Sequence, residues 1–190
     1  VVVLASGDPL CFGIGGTLRR FFEADDLSIM PAVSSFQLAF GALGVAWQEA
    51  KLVTAHGRDR RRALVAVMTN GLTAILTDGR NTPGSLTKDL LEMGLDGESN
   101  CAVCERLGGP EQAIHKMSAA EAAGREFDAL NVFVVWNNDP RKGGIVGLPD
   151  VAFVTERKQI TKREVRLAVL GEVGLRPGEV LWDIGAGSGS

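Results

Sequence analysis

The run Val1-Val2-Val3-Leu4-Ala5 is apolar and β-branched, and it stops abruptly in Ser6-Gly7-Asp8-Pro9. A segment of this kind reads as a buried parallel strand closed by a tight loop at its carboxyl end. Two later stretches follow suit: Lys51 to Ala55 ends in His56-Gly57-Arg58, and Leu72 to Leu76 ends in Thr77-Asp78-Gly79. Strands that alternate with helices predict an α/β fold. In open sheets of that class, ligands bind outside the carboxyl ends of the strands. In the first loop Gly7 admits close backbone approach, Asp8 supplies a carboxylate and Pro9 fixes the turn. The same residues equally serve a plain strand-to-helix turn.

Between these loops the periodicity predicts helices. Ile14 to Phe22 carries Leu18, Phe21 and Phe22 on one side, and Leu27 to Met30 follows as a short strand. Pro31-Ala32-Val33-Ser34-Ser35 is a second loop, in which Ser34 or Ser35 caps a helix running to about Leu43, with Gly44 at its end. Further helices are expected from Arg60 to Thr69 and from Thr82 through about Met93. Strands then persist at Cys101 to Glu105, Ala113 to Met117 and Val132 to Trp136, while the one helix among them, Ser118 to Ala123, is short. This change of character predicts a second α/β lobe with a mixed or antiparallel sheet. The polar stretch from Asn137 to Pro149, rich in Pro and Gly, reads as a linker. Beyond it lie an amphipathic helix from Thr161 to about Leu170, a turn at Pro177-Gly178, and a strand, Val180 to Asp183, feeding Gly185-Ala186-Gly187-Ser188-Gly189.

Composition narrows the function classes. The chain has 190 residues, 45% of them hydrophobic, and a formal net charge of −3. That charge gives no general reason to expect nucleic acid or an anionic membrane as a partner. Apolar runs are short and broken, so no transmembrane helix is expected, and the first residues lack the basic flank of a signal peptide. Three cysteines make no disulfide framework, so a cytoplasmic protein with reduced thiols is the expectation. The chain opens inside a predicted strand without Met and closes inside a glycine-rich loop, so both ends are expected to continue in a longer polypeptide.

Four constellations carry possible chemistry. Asp183-Ile184-Gly185-Ala186-Gly187-Ser188-Gly189 follows a predicted strand and has glycine at alternate positions, which lets a nucleoside cofactor lie against bare backbone. It departs from the dinucleotide fingerprint, because the third glycine falls one residue early. Cys101-Ala102-Val103-Cys104 has C-x-x-C form, but on a strand those two thiols face opposite sides and no paired ligands accompany them, so no metal site is expected. His56-Gly57-Arg58, with Arg60, Arg61 and Arg62, is a basic cluster, either a solvated helix start or an anion-binding loop. Asp78 and Glu105-Arg106 are polar groups at strand ends, and no nucleophile–base–acid triad is legible, which leaves the catalytic residues unassigned.

Taken in order, these loops resemble the tetrapyrrole methylases, the class III methyltransferases. The resemblance rests on Ser6-Gly7-Asp8-Pro9-Leu10 and Pro31-Ala32-Val33-Ser34-Ser35-Phe36-Gln37. His56-Gly57-Arg58 and Glu105-Arg106-Leu107-Gly108 resemble the branch that methylates C5 of a precorrin. Ile160-Thr161-Lys162-Arg163-Glu164-Val165-Arg166 and the Asp183 to Gly189 loop resemble the start of a Rossmann-like class I enzyme that methylates C15 and decarboxylates. The resemblance implies a two-lobed class III fold over residues 1–138, a linker over 139–150, and the start of the second methyltransferase over 151–190. It implies S-adenosylmethionine as cofactor, a precorrin as substrate, a homo-oligomer, and cobalamin biosynthesis as the setting. It also implies a Gly-x-Gly-Pro loop upstream of Val1. Carried over residue by residue, it places Ser6, Gly7, Asp8, Cys11, Ser34, Ser35, Thr77 and Met117 at the first cofactor site. Thr161, Gly185, Ala186, Gly187, Ser188 and Gly189 fall at the second, and His56 and Arg58 at the substrate. The rivals are a family member with another ring position or substrate, such as diphthine, and a non-catalytic ligand-binding α/β domain.

Overall fold

The computed structural model describes residues 1–140, 160–174 and 180–187. The chain divides into two compact units, Val1–Pro140 and Arg141–Ser190.

The first unit is built on one five-stranded mixed sheet. Its strands are β1 (Lys51–Thr54), β2 (Leu72–Leu76), β3 (Asn100–Glu105), β4 (Ala113–Ser118) and β5 (Asn131–Trp136), in the order β1-β2-β5-β3-β4. β1 and β2 are parallel, while β5 is inserted antiparallel to both β2 and β3. Alternation along each strand sorts side chains onto two faces. Ile75, Cys101, Val103, Phe133 and Val135 point to one face, where they pack with Val67, Leu86 and Leu90 from helices α3 (Arg61–Thr69) and α4 (Pro83–Glu92). Ala74, Ala102, Cys104, Val132 and Val134 point to the other, against Phe36, Ala39, Phe40 and Leu43 of α2 (Ser35–Leu43). The result is three layers, with the central strands β2, β5 and β3 buried on both faces and the outer β1 and β4 only partly covered.

Local chemistry explains where the helices begin. Ser34 caps α2 in a reciprocal capping box with Gln37, and Gly44 closes it in the left-handed conformation. Thr82 caps α4, whose first residue is Pro83. Ser118 and Glu121 form a second capping box on the single-turn α5 (Ala119–Ala122). The close packing of α4 on α5 needs Gly84: a Cβ there would sit 2.5 Å from the Arg125 carbonyl oxygen and 3.3 Å from that of Ala122.

Several sequence expectations are corrected. Val1 to Leu4 is not a buried strand; it pairs with no described strand, and Leu4 is 92% exposed. The expected helix from Ile14 to Phe22 is a single turn, α1 (Gly15–Leu18), and Phe21 and Phe22 lie exposed beside a 3-10 turn at Ala24–Asp26. Leu27 to Met30 forms no strand. β-branched and apolar patterning makes a segment fit a sheet, but a strand exists only where a neighbour accepts its hydrogen bonds. The change of character at Cys101 is not a lobe boundary either, because β1 and β2 share the sheet with the strands that follow.

In the second unit, α6 (Arg163–Val173) begins two residues later than Thr161 and ends at Gly174. The Arg166 guanidinium reaches back to the Thr161 carbonyl at 2.8 Å. Val180 to Asp183 is not a strand and is exposed, again with no described partner strand. The linker residues from Arg141 to Asp150, the Pro177-Gly178 turn, and Ser188 and Gly189 lie outside the described residues. Among the described residues, no helix is long and apolar enough to cross a membrane.

Candidate cofactor and substrate cleft

The mixed topology decides what gathers at one edge of the sheet. β1, β2 and β3 run the same way, so their carboxyl ends share that edge; β5 runs against them and brings its amino end there. A cleft of about 560 Å³ opens at this edge. Its walls include Ser6, Gly7, Asp8, Cys11, Ser34, Ser35, His56, Arg58 and Thr77, nine residues from four separate stretches of sequence. Its volume falls within the usual range for small-molecule sites.

The loop before α1 forms one side. Gly7 has φ +67°, and an added Cβ would meet the Val33 carbonyl oxygen at 3.6 Å and the Ser34 Cα at 3.8 Å, so the two loops lie in contact range. Asp8 turns its carboxylate onto the Leu10 amide, which donates at 2.8 Å, and the Cys11 amide donates to the Asp8 carbonyl at 3.1 Å. Phe12, at φ 56°, packs edge-on against Phe36 with ring centroids 5.8 Å apart. A left-handed aromatic residue is costly and persists only where packing holds it, as Phe36 does here. Ser34 serves the helix cap: its amide donates to Gln37 Oε1 at 2.8 Å, and its Oγ accepts from the Gln37 amide at 3.3 Å.

At the floor, Thr77 and Asn131 form a buried polar pair. The Thr77 hydroxyl lies 2.9 Å from Asn131 Oδ1, while Asn131 Nδ2 donates to the Asp128 carbonyl at 2.6 Å. That second bond fixes the amide orientation, so Asn131 accepts and Thr77 donates. The acceptor lone pairs of Thr77 are what remain for a ligand. Asn131, Leu130 and Phe12 line the cleft without having been singled out from the sequence. Asn131 opens a strand, and only an antiparallel insertion puts a strand's beginning at the edge where other strands end.

The loops after β1 and β2 are knitted together by Asp78 and Asn81. Asp78 accepts from the amides of Gly57 at 2.6 Å, Asn81 at 2.7 Å and Arg80 at 2.8 Å. Asn81 Nδ2 donates to the carbonyls of Ala55 at 2.6 Å and Arg58 at 3.2 Å. His56 Nδ1 lies 3.1 Å from the Thr77 carbonyl. The amides of Asn81 and Gly57 above all hold the Asp78 carboxyl down at about 2, against an ordinary 3.8. A depressed carboxylate stabilises the folded state above its unfolded value and loses that contribution as pH falls through the folded one. The Tm advantage of the wild type over Asp78→Asn is therefore full at pH 5 and above, and shrinks between about pH 4 and about pH 2. Thermal scans across that range check it, and a gap independent of pH would sink it.

The basic cluster divides by role. Arg60 pairs with Asp89 at 2.8 Å, tying α3 to α4, and Arg61 lies 3.9 Å from Asp59. Arg58 makes no side-chain hydrogen bond or ion pair among the described residues, and it lines the cleft. Glu105 and Arg106 hold structure instead. Glu105 contacts His115 at 3.0 Å and accepts the Asp128 amide at 2.7 Å, while Arg106, at φ 47°, pairs with Asp128 and Glu111 at 2.7 Å each.

Met117 does not reach the cleft. It pairs with Cys101 near the start of β3, at the end of the sheet opposite the cleft, and it sits near Arg125, whose Nη1 approaches its sulfur at 3.8 Å. Cys101 and Cys104 fall in the two separate cores, one on each sheet face. Burial pushes their thiols up to about 12 and about 11. Among the described residues no group of three or more metal-ligating side chains gathers. Thr161, Gly185, Ala186 and Gly187 belong to the second unit, where all four are exposed.

The sequence profile of the tetrapyrrole (corrin/porphyrin) methylases matches residues 1–123, and that of a precorrin methyltransferase domain matches residues 152–190. A precorrin-6Y C(5,15)-methyltransferase (decarboxylating) of Sinorhizobium sp is 38% identical over 193 residues, an alignment that takes in 100% of this chain and 46% of the relative. A cobalt-precorrin-7 C(5)-methyltransferase of Salmonella typhimurium is 31% identical over 115 residues, covering 60% of this chain and 56% of the relative. The chain spans about half the length of the curated relatives it matches. Among solved structures, uroporphyrin-III C-methyltransferase from Thermus thermophilus, crystallised with S-adenosylhomocysteine, superposes with a TM-score of 0.55 at 20% identity. That superposition covers 68% of this chain and 62% of the other, a likeness of fold.

Proposed function

Since the chain belongs to the tetrapyrrole methylase family, we propose that it is part of an S-adenosylmethionine-dependent enzyme that methylates ring carbons of a precorrin in cobalamin biosynthesis. The first unit carries C-methylation at C5, the position in the name of the Salmonella relative. The second unit begins the domain responsible for C15 methylation with decarboxylation, as in the name of the Sinorhizobium relative. The observation that supports this reading is the cleft itself. It joins the Ser6–Cys11 loop, the Ser34–Ser35 loop and Thr77 around one volume of about 560 Å³.

The residues suit the cofactor. Phe12, Val33, Leu38 and Leu130 give apolar surface for a flat base, and Gly7 leaves the wall without a side chain. Thr77 keeps acceptor capacity for a ligand N–H. S-adenosylmethionine, when bound, supplies an electrophilic methyl group on sulfonium sulfur. The protein needs chiefly to align the acceptor carbon and to exclude water, for which positioning alone suffices. No strong nucleophile is required of the chain. His56 and Arg58, at the cleft rim, face the substrate, and Arg58 holds one of its carboxylates. Cytoplasmic location and homo-oligomeric assembly complete the proposal.

Calorimetric titration with S-adenosylhomocysteine tests it. Binding to the protein at micromolar concentration is the expected result, and two sites per chain support a cofactor site in each unit. Absence of any binding would falsify the methyltransferase reading and favour a ligand-binding α/β domain of another kind.

A further inference from the structure

A second cavity of about 580 Å³ borders the cleft, and Arg58 lines both. We propose that this cavity is a carboxylate-binding subsite for the polycarboxylate substrate, formed by Arg58 and Arg80 from two neighbouring loops. The inference rests on the methylase reading above, and adds to it a location and a residue, Arg80.

The topology puts the two arginines side by side. β1 and β2 are adjacent and parallel, with Thr54 in register with Leu76. Arg58 and Arg80 therefore both lie four residues beyond paired positions, on loops that leave the same sheet edge. The cavity also contains Asp59 and Asp78, yet both carboxylates are already engaged. Asp78 is spent on the amides of Gly57, Arg80 and Asn81. Asp59 accepts the Arg61 amide at 2.9 Å and lies 3.9 Å from the Arg61 guanidinium. Asn81 spends its side-chain donors on the carbonyls of Ala55 and Arg58. Every other polar side chain in the cavity thus serves to hold the loops. Arg58 and Arg80 alone make no side-chain hydrogen bond or ion pair among the described residues.

Two guanidinium forks on braced loops are preorganised for planar anions, and a carboxylate accepts such a fork in bidentate fashion. Because Arg58 lines both cavities, one molecule bearing carboxylates around a large ring can occupy the cleft and place an acid group in the subsite. The braced backbone limits the ordering cost of binding.

Uroporphyrin I, with eight carboxylates, and coproporphyrin I, with four, serve as fluorescent probes, alongside calorimetry with S-adenosylhomocysteine. Arg80→Ala is expected to weaken uroporphyrin binding about tenfold, the scale of one lost charge-assisted contact. Arg80→Lys restores it only in part, because a point charge lacks the fork. Coproporphyrin loses less, added salt narrows the difference, and S-adenosylhomocysteine affinity stays within about twofold of wild type. Arg19→Ala, which removes the same charge at an exposed site that lines neither cavity, leaves uroporphyrin binding intact. Wild-type uroporphyrin affinity in Arg80→Ala, with cofactor binding preserved, overturns the subsite and leaves the methylase reading standing. An equal loss in Arg19→Ala overturns it in favour of net charge. Failure of the wild type to bind S-adenosylhomocysteine overturns the methylase reading instead.

Discussion

Gly7→Val loses measurable affinity for S-adenosylhomocysteine in the first unit while the unit stays folded. The reason is conformational rather than steric. The space beside Gly7 accepts a methyl group, since an added Cβ would meet its nearest neighbours at 3.6 and 3.8 Å, ordinary contact distances. The backbone does not accept it, because φ at this position is +67°. A β-branched residue in the left-handed region is a strong outlier, and the strain is relieved only if the loop rotates. Rotation carries Ser6, Asp8 and Cys11 away from the Val33–Ser34 loop and removes one wall of the cleft. Gly7→Ala meets the same φ with a smaller side chain, so an intermediate loss is expected. Of this loop only Cys11 packs against a hydrophobic core, and at its margin, so Tm changes by only a few degrees. Calorimetry and thermal unfolding on the same preparations check both halves. Wild-type affinity in the valine variant would show that this loop is not part of the site.

The second large effect is on stability. Gly84→Ala is expected to cost about 3 kcal/mol, because its Cβ would fall 2.5 Å from the Arg125 carbonyl oxygen and backbone must move. α4 carries Leu86 and Leu90 into the core beside Ile75 and Phe133, so a shift at its first turn spreads into the packing. The expected fall in Tm is about 10 °C for a unit of this size. Gly41→Ala makes the same chemical change inside α2, where an added Cβ meets nothing within 4 Å. There the helix gains about 0.5–1 kcal/mol from lost backbone freedom in the unfolded chain. Opposite signs for one substitution at two glycines isolate close helix packing as the cause; equal shifts would refute it.

Much of the first unit was readable locally. Leu72 to Leu76 is a strand over the residues expected, and α2 starts at Ser34 because serine, then glutamine three positions on, makes a capping box. The separation of Cys101 from Cys104 followed from strand alternation alone, and the two cores hold one thiol each. Of the cleft lining, Ser6, Gly7, Asp8, Cys11, Ser34, Ser35, His56, Arg58 and Thr77 were legible as candidates because loops at strand ends carry distinctive residues. Met117 lies outside the cleft because β4 runs antiparallel to β3 and carries its carboxyl end to the opposite end of the sheet, a direction that the strand's own residues do not reveal. Asn131 was missed because its partner Thr77, 54 residues away in sequence, meets it only through the fold.

Residue type and spacing by themselves determined the segments that cap, turn and alternate, since those forces act between residues a few positions apart. They determined the α/β class and the loops able to meet a ligand. Tertiary structure decided the rest. Val1 to Leu4 and Val180 to Asp183 have strand composition without strand structure, because a strand's hydrogen bonds belong to a neighbour. The antiparallel insertion of β5 between β2 and β3 decided which strand ends share an edge, and hence which side chains share a cleft. That choice depends on pairing across 54 residues of sequence, from Thr77 to Asn131, a separation at which local patterning carries no information.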